Sequence, residues 1–338
     1  MRILYIYRSK DSGPSIRRVF EPIENALKKD CQLDSIYLPI ATASPIDIFR
    51  NIQFVKKYIR GKQYDIIHIT GHVNYLIWPL RKYRTIVTVH DLGFYTRFTT
   101  GLKKKLLYLF FIRPLKYAKH VTYISDKSFK EACDCIKLPE RIQSIIYNPV
   151  DPSFVFSPKN INKEKPIILH LGTKPNKNLS RVIEAVSTIS CTLHIIGNVS
   201  EDLRKKIDEY GIDVRIDSNV SDEEILWAYK ECDVVCFPSL YEGFGLPIIE
   251  GQAIGRPVVT SDLLPMSSIA GKGAVLVDPY SVDSITKGIV YALENSESLI
   301  KDGINNADRF SLKHIVGQYM SLYETLKSNG KPLPPNIV

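Results

Sequence analysis

The sequence predicts an α/β protein made of two Rossmann-like, doubly wound domains facing across a cleft. Three observations carry that expectation. Short apolar runs recur along the chain, most of them apolar on both faces, as buried parallel strands require. Segments with helical spacing separate many of these runs. The runs also fall into two sets, divided by a proline-rich polar stretch, and strand–helix alternation repeated twice gives two doubly wound sheets.

The first set of expected strands is Arg2–Tyr7, Leu33–Tyr37, Tyr64–Ile69, Thr85–Val89, Val121–Ile124 and Gln143–Tyr147. The second is Ile167–Leu171, Thr192–Gly197, Asp213–Ile216, Asp233–Phe237, Pro257–Thr260 and Ala274–Val277. Ile16, Val19, Phe20, Ile23 and Leu27 follow helical spacing, with Pro22 as an expected kink. Leu179, Val182, Ile183 and Val186 do the same, with Asn178 as their N-cap. Ser221-Asp222-Glu223-Glu224 reads as a capping box. The boundary falls between Asn148 and Lys159, giving domains at 1–150 and 151–310. A last helical pattern at Ile315, Tyr319, Leu322 and Tyr323 predicts a helix within 311–330 that crosses back to the N-terminal domain. The tail 331–338, with three prolines, is expected to be loose.

A length of 338 residues suits two domains, and 44% hydrophobic with 24% charged residues suits a globular chain. No apolar run is long enough to span a bilayer, and Arg8 and Lys10 follow the short N-terminal run too closely for a signal peptide. A cytoplasmic location is expected. The six cysteines are scattered, mostly among apolar residues, and read as small buried thiols. A net charge of +9 favours anionic partners. Lys103-Lys-Lys-Leu-Leu-Tyr-Leu-Phe-Phe-Ile-Arg113, within the basic and apolar stretch 97–120, fits an anionic membrane surface as well as it fits ordinary helix packing. No nucleic-acid module is present in the sequence.

The most informative run is 237–262. It holds Glu242 and Glu250, eight positions apart, around a Gly243-Phe244-Gly245 turn. Pro247 suits a first helical turn and Gly255 a C-terminal stop, which puts Glu242 in the loop and Glu250 about two turns into a helix. The amides of Gly243, Phe244, Gly245 and Leu246 are expected to lack helical acceptors and to favour a negative ligand. Bare amides for a phosphate and carboxylates for hydroxyl groups suit a sugar nucleotide.

Glu242-Gly-Phe-Gly-Leu-Pro-x-x-Glu250 resembles the E-x7-E signature of retaining glycosyltransferases of the GT-B fold, in glycosyltransferase family four. Other segments resemble that family in the same order: Thr88-Val-His-Asp-Leu92, Tyr147-Asn-Pro-Val-Asp151, His170-Leu-Gly-Thr-Lys-Pro-Asn-Lys-Asn-Leu179 and Leu193-His-Ile-Ile-Gly197. The resemblance implies that the first domain binds the acceptor and the second the donor. It assigns Glu250 to the ribose hydroxyls, Glu242 to the transferred sugar, and the 243–246 amides to sugar and phosphate. Lys177 would neutralise the departing diphosphate. Many relatives carry an arginine after the strand-end glycine; this chain has Thr173 there, and Lys174 is the expected helper. His90 aligns with a histidine used at the sugar or acceptor, donating to a hydroxyl or lending its carbonyl. Gly13 matches a glycine-rich loop after the first strand and is expected to bind the donor, letting backbone approach its sugar or phosphate closely.

The resemblance further implies hexosyl transfer with retention from a UDP- or GDP-sugar to a saccharide or lipid-linked saccharide in cell-surface polysaccharide or glycolipid synthesis. The nucleotide sugar is a co-substrate, and neither cofactor nor metal is expected. His68-x3-His72 lacks the one-face geometry of a helical metal pair. A sugar-nucleotide epimerase of the same fold lacks this motif pattern, and a nicotinamide enzyme would need G-x-G-x-x-G where Ser12-Gly-Pro-Ser-Ile-Arg stands. A non-catalytic nucleotide-sugar binder rests only on the missing arginine.

Overall fold

The structure, a computed structural model, describes residues 1–13, 15–96 and 100–328. The expected loose tail 331–338 and the start of the basic stretch at Arg97 lie outside the described residues. Two six-stranded sheets form, and their neighbouring strands run parallel. The first contains β1 (Arg2–Tyr7), β2 (Gln32–Tyr37), β3 (Ile66–Ile69), β4 (Thr85–Val89), β5 (His120–Tyr123) and β6 (Gln143–Ile145) in spatial order β2-β1-β3-β4-β5-β6. The second contains β7 (Ile167–Leu171), β8 (Thr192–Ile196), β9 (Asp213–Asp217), β10 (Val234–Phe237), β11 (Val258–Ser261) and β12 (Ala274–Val277) in order β12-β11-β10-β7-β8-β9. All twelve expected strands are present, with no end displaced by more than two residues.

Each sheet reverses its direction of growth once. The reversal lies between β1 and β3 in the first sheet and between β7 and β10 in the second. Loops leaving the carboxyl ends of two such strands diverge, which is where open α/β sheets take ligands.

Local expectations fare unevenly. The capping box at Ser221 is formed in both directions. Gly255 ends its helix at φ 85°. Pro22 lies inside helix Ser15–Leu27 without ending it. Asn178, expected as an N-cap, makes no capping bond and is left-handed at φ 66°. Cys191, Cys232 and Cys236 are buried thiols, but Cys133 is exposed. No described helix is long and apolar enough to cross a membrane.

The chain divides into two compact units, Met1–Pro149 with Leu312–Val338, and Val150–Ser311. In the first, helix Leu312–Lys327 is tied to the sheet by a buried polar chain. Tyr323 Oη lies 2.8 Å from Tyr5 Oη and 2.7 Å from His68 Nδ1. His68 Nε2 lies 2.8 Å from Thr88 Oγ1, which is 2.7 Å from Thr122 Oγ1. His68, the first member of the His68-x3-His72 pair, is a core histidine with both ring nitrogens satisfied. In the second unit, fully buried Arg256 donates to the carbonyls of Ser157, Gly255 and Lys230, fastening the entry segment beneath helix Leu246–Ile254.

Burial pushes His68 and His90 down to about 3, so both are neutral in the folded chain. Unfolding restores their ordinary affinity for protons near 6.5. The unfolded chain thus binds more protons between those limits, and stability falls as the pH drops through that window. Denaturant unfolding at pH 7 and pH 5 checks this: His68→Gln should lessen the pH 5 loss by about one proton per unfolding event. An unchanged pH slope would contradict a neutral His68.

Candidate active site

The Val150–Ser311 unit assembles its site at the β7/β10 reversal. After β7 the chain makes a tight turn, Pro175–Lys177. After β10 it runs through 238–245 into helix Leu246–Ile254. The two loops are stapled together by backbone and amide groups. Leu240 N donates to Asn176 O at 2.8 Å, and Asn176 Nδ2 to Tyr241 O at 2.9 Å. Asn178 Nδ2 donates to Pro238 O at 3.0 Å and Pro279 O at 2.7 Å. These bonds explain the conformation of Asn178: its amide holds three strand ends together instead of capping the helix that follows.

The staple brings Lys177 and Glu242 into contact, with Nζ 2.7 Å from Oε1. Their side chains are only 21% and 15% exposed. The ammonium also sits 4.6 Å from the centre of the Phe237 ring, a favourable cation–π position. The lysine stem passes over Gly172, where a Cβ would come within 3.0 Å of Lys177 Cγ. Two groups 65 positions apart in the chain thus form one preorganised, largely desolvated charge pair.

Glu250 projects from helix Leu246–Ile254 and accepts a 2.6 Å bond from Tyr229 Oη. Tyr229 is buried, packed edge-on against Phe154. At the head of the helix, Gly245 is left-handed at φ 108°. Ile248 N donates to Gly245 O at 3.0 Å, closing the first turn of the helix. Phe244 contributes its ring to the core, 5.8 Å from Phe310, while Gly243 and Leu246 are half-buried at the mouth of the turn. Lys174 is exposed, and its carbonyl accepts from Lys177 N at 2.8 Å. Thr173, where relatives carry arginine, donates to Asn198 O at 2.6 Å and packs against Gly197.

In the first unit, His90 ends β4 and is buried. Its Nε2 donates to Thr70 O at 2.7 Å, and its ring lies where a Cβ on Gly71 would stand. That bond uses the ring's one N–H in the neutral form, leaving Nδ1 as an acceptor. The neutral ring therefore has no N–H left for the expected donation to a sugar hydroxyl; Nδ1 and the backbone carbonyl are acceptors. His72 stacks on it with centroids 5.7 Å apart, and its pKa is lowered by burial against a partial counter-effect from Asp91. Gly13, at φ 89°, offers its carbonyl to Arg8 at 3.1 Å. Among the described residues, no group of three His, Cys, Asp or Glu side chains could hold a metal ion.

Sequence reasoning missed Tyr229, Asn176 and Arg8. Tyr229 lies on the helix that the Ser221 box opens, and nothing local marks its hydroxyl as a partner for Glu250. Arg8 was visible as a strand-end residue, but no chemistry was attached to it.

Two family descriptions divide the chain: Glycosyltransferase Family 4 matches residues 17–154, and Glycosyl transferases group 1 matches residues 153–309. The chain belongs to the family-four glycosyltransferases of the GT-B fold. This glycosyltransferase is 25% identical over 276 residues to O-antigen chain mannosyltransferase B of Escherichia coli, covering 73% of this chain and 72% of that one. It is 25% identical over 254 residues to O-antigen chain mannosyltransferase RfbU of Salmonella typhimurium, covering 72% and 70%. Its fold matches sucrose-phosphate synthase from Thermosynechococcus elongatus with a TM-score of 0.80 at 17% identity, covering 98% and 100%.

The glycosyltransferase needs a glycine at 245 for two reasons: the left-handed backbone, and a Cβ position 3.0 Å from Ile248 Cδ1. Gly245→Ala is expected to destabilise the chain by about 1–2 kcal/mol, read as a lowered melting temperature. An unchanged melt would show that the turn relaxes freely.

Proposed function

We propose that the enzyme moves a hexose, with mannose the first candidate, from a UDP- or GDP-sugar to a saccharide or lipid-linked saccharide, retaining the anomeric configuration and using no metal. The Lys177–Glu242 pair at the β7/β10 reversal is the observation that carries this reading. Names of the two O-antigen relatives support mannose and a surface polysaccharide.

The chemistry follows from the pair. A diphosphate gives Lys177 a more highly charged partner than a single carboxylate. Lys177, held beside Glu242, donates to the diphosphate with its remaining N–H groups, and Glu242 accepts hydrogen bonds from the hydroxyls of the transferred hexose. Negative charge on the diphosphate grows as the glycosidic bond breaks, so a fixed cation there lowers the barrier selectively. Glu250, held by Tyr229, takes the ribose hydroxyls. Attack occurs on the face the diphosphate leaves, and the leaving phosphate receives the acceptor's proton. A lipid-linked acceptor fits the basic surface of the first unit. There Leu102 is 72% exposed beside Lys103, Lys104 and Lys105, and Arg113 stacks 5.6 Å from Trp78.

Labelled UDP- and GDP-sugars, incubated with membrane extract, give nucleotide release and product. Glu242→Ala should lower kcat by about 100-fold or more, and Glu250→Ala should chiefly raise the donor KM. Chelation by EDTA should leave the rate unchanged, and the product should keep the donor's anomeric configuration by NMR. Normal turnover by Glu242→Ala would overturn the reading.

A further inference from the structure

We propose that the Met1–Pro149 unit carries a receptor for a phosphoryl group on the acceptor, built at the carboxyl end of β1 from Arg8, Lys10 and Arg17 around Tyr37. This deepens the acceptor half of the function above and rests on it. A pocket opens there, on the side where β1 adjoins β2, with Gly13 and Ile16 on its wall. Three of the residues lining it are cations and none is a carboxylate.

The three cations differ in how they are held. Arg8 is half-buried and fixed: one guanidinium nitrogen donates to Gly13 O at 3.1 Å and Ser15 Oγ at 3.0 Å. Its Nε is buried with no partner in the protein. Asp91 acts on Arg8 only through its field, and no described carboxylate is ion-paired with it. Arginine keeps its charge under such burial, so a desolvated guanidinium without a counter-ion favours an incoming anion. Lys10 Nζ rests 4.9 Å over the Tyr37 ring and makes no ion pair with a described carboxylate. Tyr37 is stacked on Tyr7 at 4.9 Å and 16°, and Tyr7 is fastened by its hydroxyl to Glu24. Arg17 is tied only loosely, its Nε 3.7 Å from Glu21 Oε1.

A rigid arginine, a lysine resting on an aromatic ring and a loosely paired arginine around one pocket suit a tetrahedral group of about two charges. A single carboxylate is satisfied by one arginine fork and would leave the other two cations unused. Tyr37, half-buried on the Tyr7 ring, adds apolar surface for the sugar ring or prenyl chain that bears the phosphate. Two sources share this chemistry, a sugar phosphate and a prenyl diphosphate.

Calorimetry tests it on the full chain, with saturating UDP or GDP present to occupy the nucleotide site. Glucose 6-phosphate and farnesyl diphosphate serve as probes, with methyl mannoside and glucuronate as controls. At least one phosphorylated probe should bind, the tighter one naming the source, and neither control should match it. The double substitution Lys10→Gln with Arg17→Gln, both at the surface of the pocket, should weaken that binding tenfold or more. Equal binding by the substituted chain, no binding of either phosphorylated probe, or glucuronate binding as tightly would each overturn the proposal. Loss of nucleotide affinity in the substituted chain would overturn it too, since the pocket would then serve the donor. Hydrolysis of UDP- or GDP-sugar, followed in parallel, reports on transfer chemistry alone, so its absence would count against the glycosyltransfer mechanism and not against this receptor.

Discussion

Everything at the site depends on one topological constraint: the second sheet changes its direction of growth between β7 and β10. Strands adjacent in space then send their following loops to opposite sides. Without further restraint those loops would stand apart. Asn176 and Asn178 close the gap, spending their amides on the carbonyls of residues 238, 241 and 279. Only then can Lys177 reach Glu242. The pair is a consequence of the staple, and the staple has a target only because the strand order reverses.

The same logic orders the neighbouring parts. Glu250 stands on a helix whose starting point is fixed by left-handed Gly245 and whose floor is fixed by Phe244 in the core. Tyr229 then limits the carboxylate to one direction. A cation and two carboxylates held by backbone-anchored partners lose little entropy when a ligand arrives, which is what preorganisation contributes to affinity and rate. In the first unit the rigid element is aromatic. Tyr5, His68 and Tyr323 lock the last helix against the sheet, and Tyr7 with Tyr37 form a firm wall next to Arg8, Lys10 and Arg17.

Much of this was legible before any coordinates. Strands such as Ile167–Leu171 and Thr85–Val89 are apolar on both faces, and burial of that kind leaves little freedom in where they begin or end. Gly255 and the Ser221 box announced themselves because capping chemistry is local. Asn178 misled for the same reason: locally it is a good cap, but three distant carbonyls compete for its side chain and win. His90 was visible as a strand-end histidine, while its tautomer was not, because the acceptor that fixes it is the carbonyl of Thr70, just past the end of β3.

The sequence by itself determined the fold class, the twelve strands and the family signature around Glu242 and Glu250, because periodicity, burial and capping act over a few residues. Tertiary structure alone decided that Lys177 meets Glu242, that Tyr229 serves Glu250, and that Arg8, Lys10 and Arg17 share one pocket with Tyr37. Those choices join residues tens of positions apart through distances and directions that no local pattern encodes.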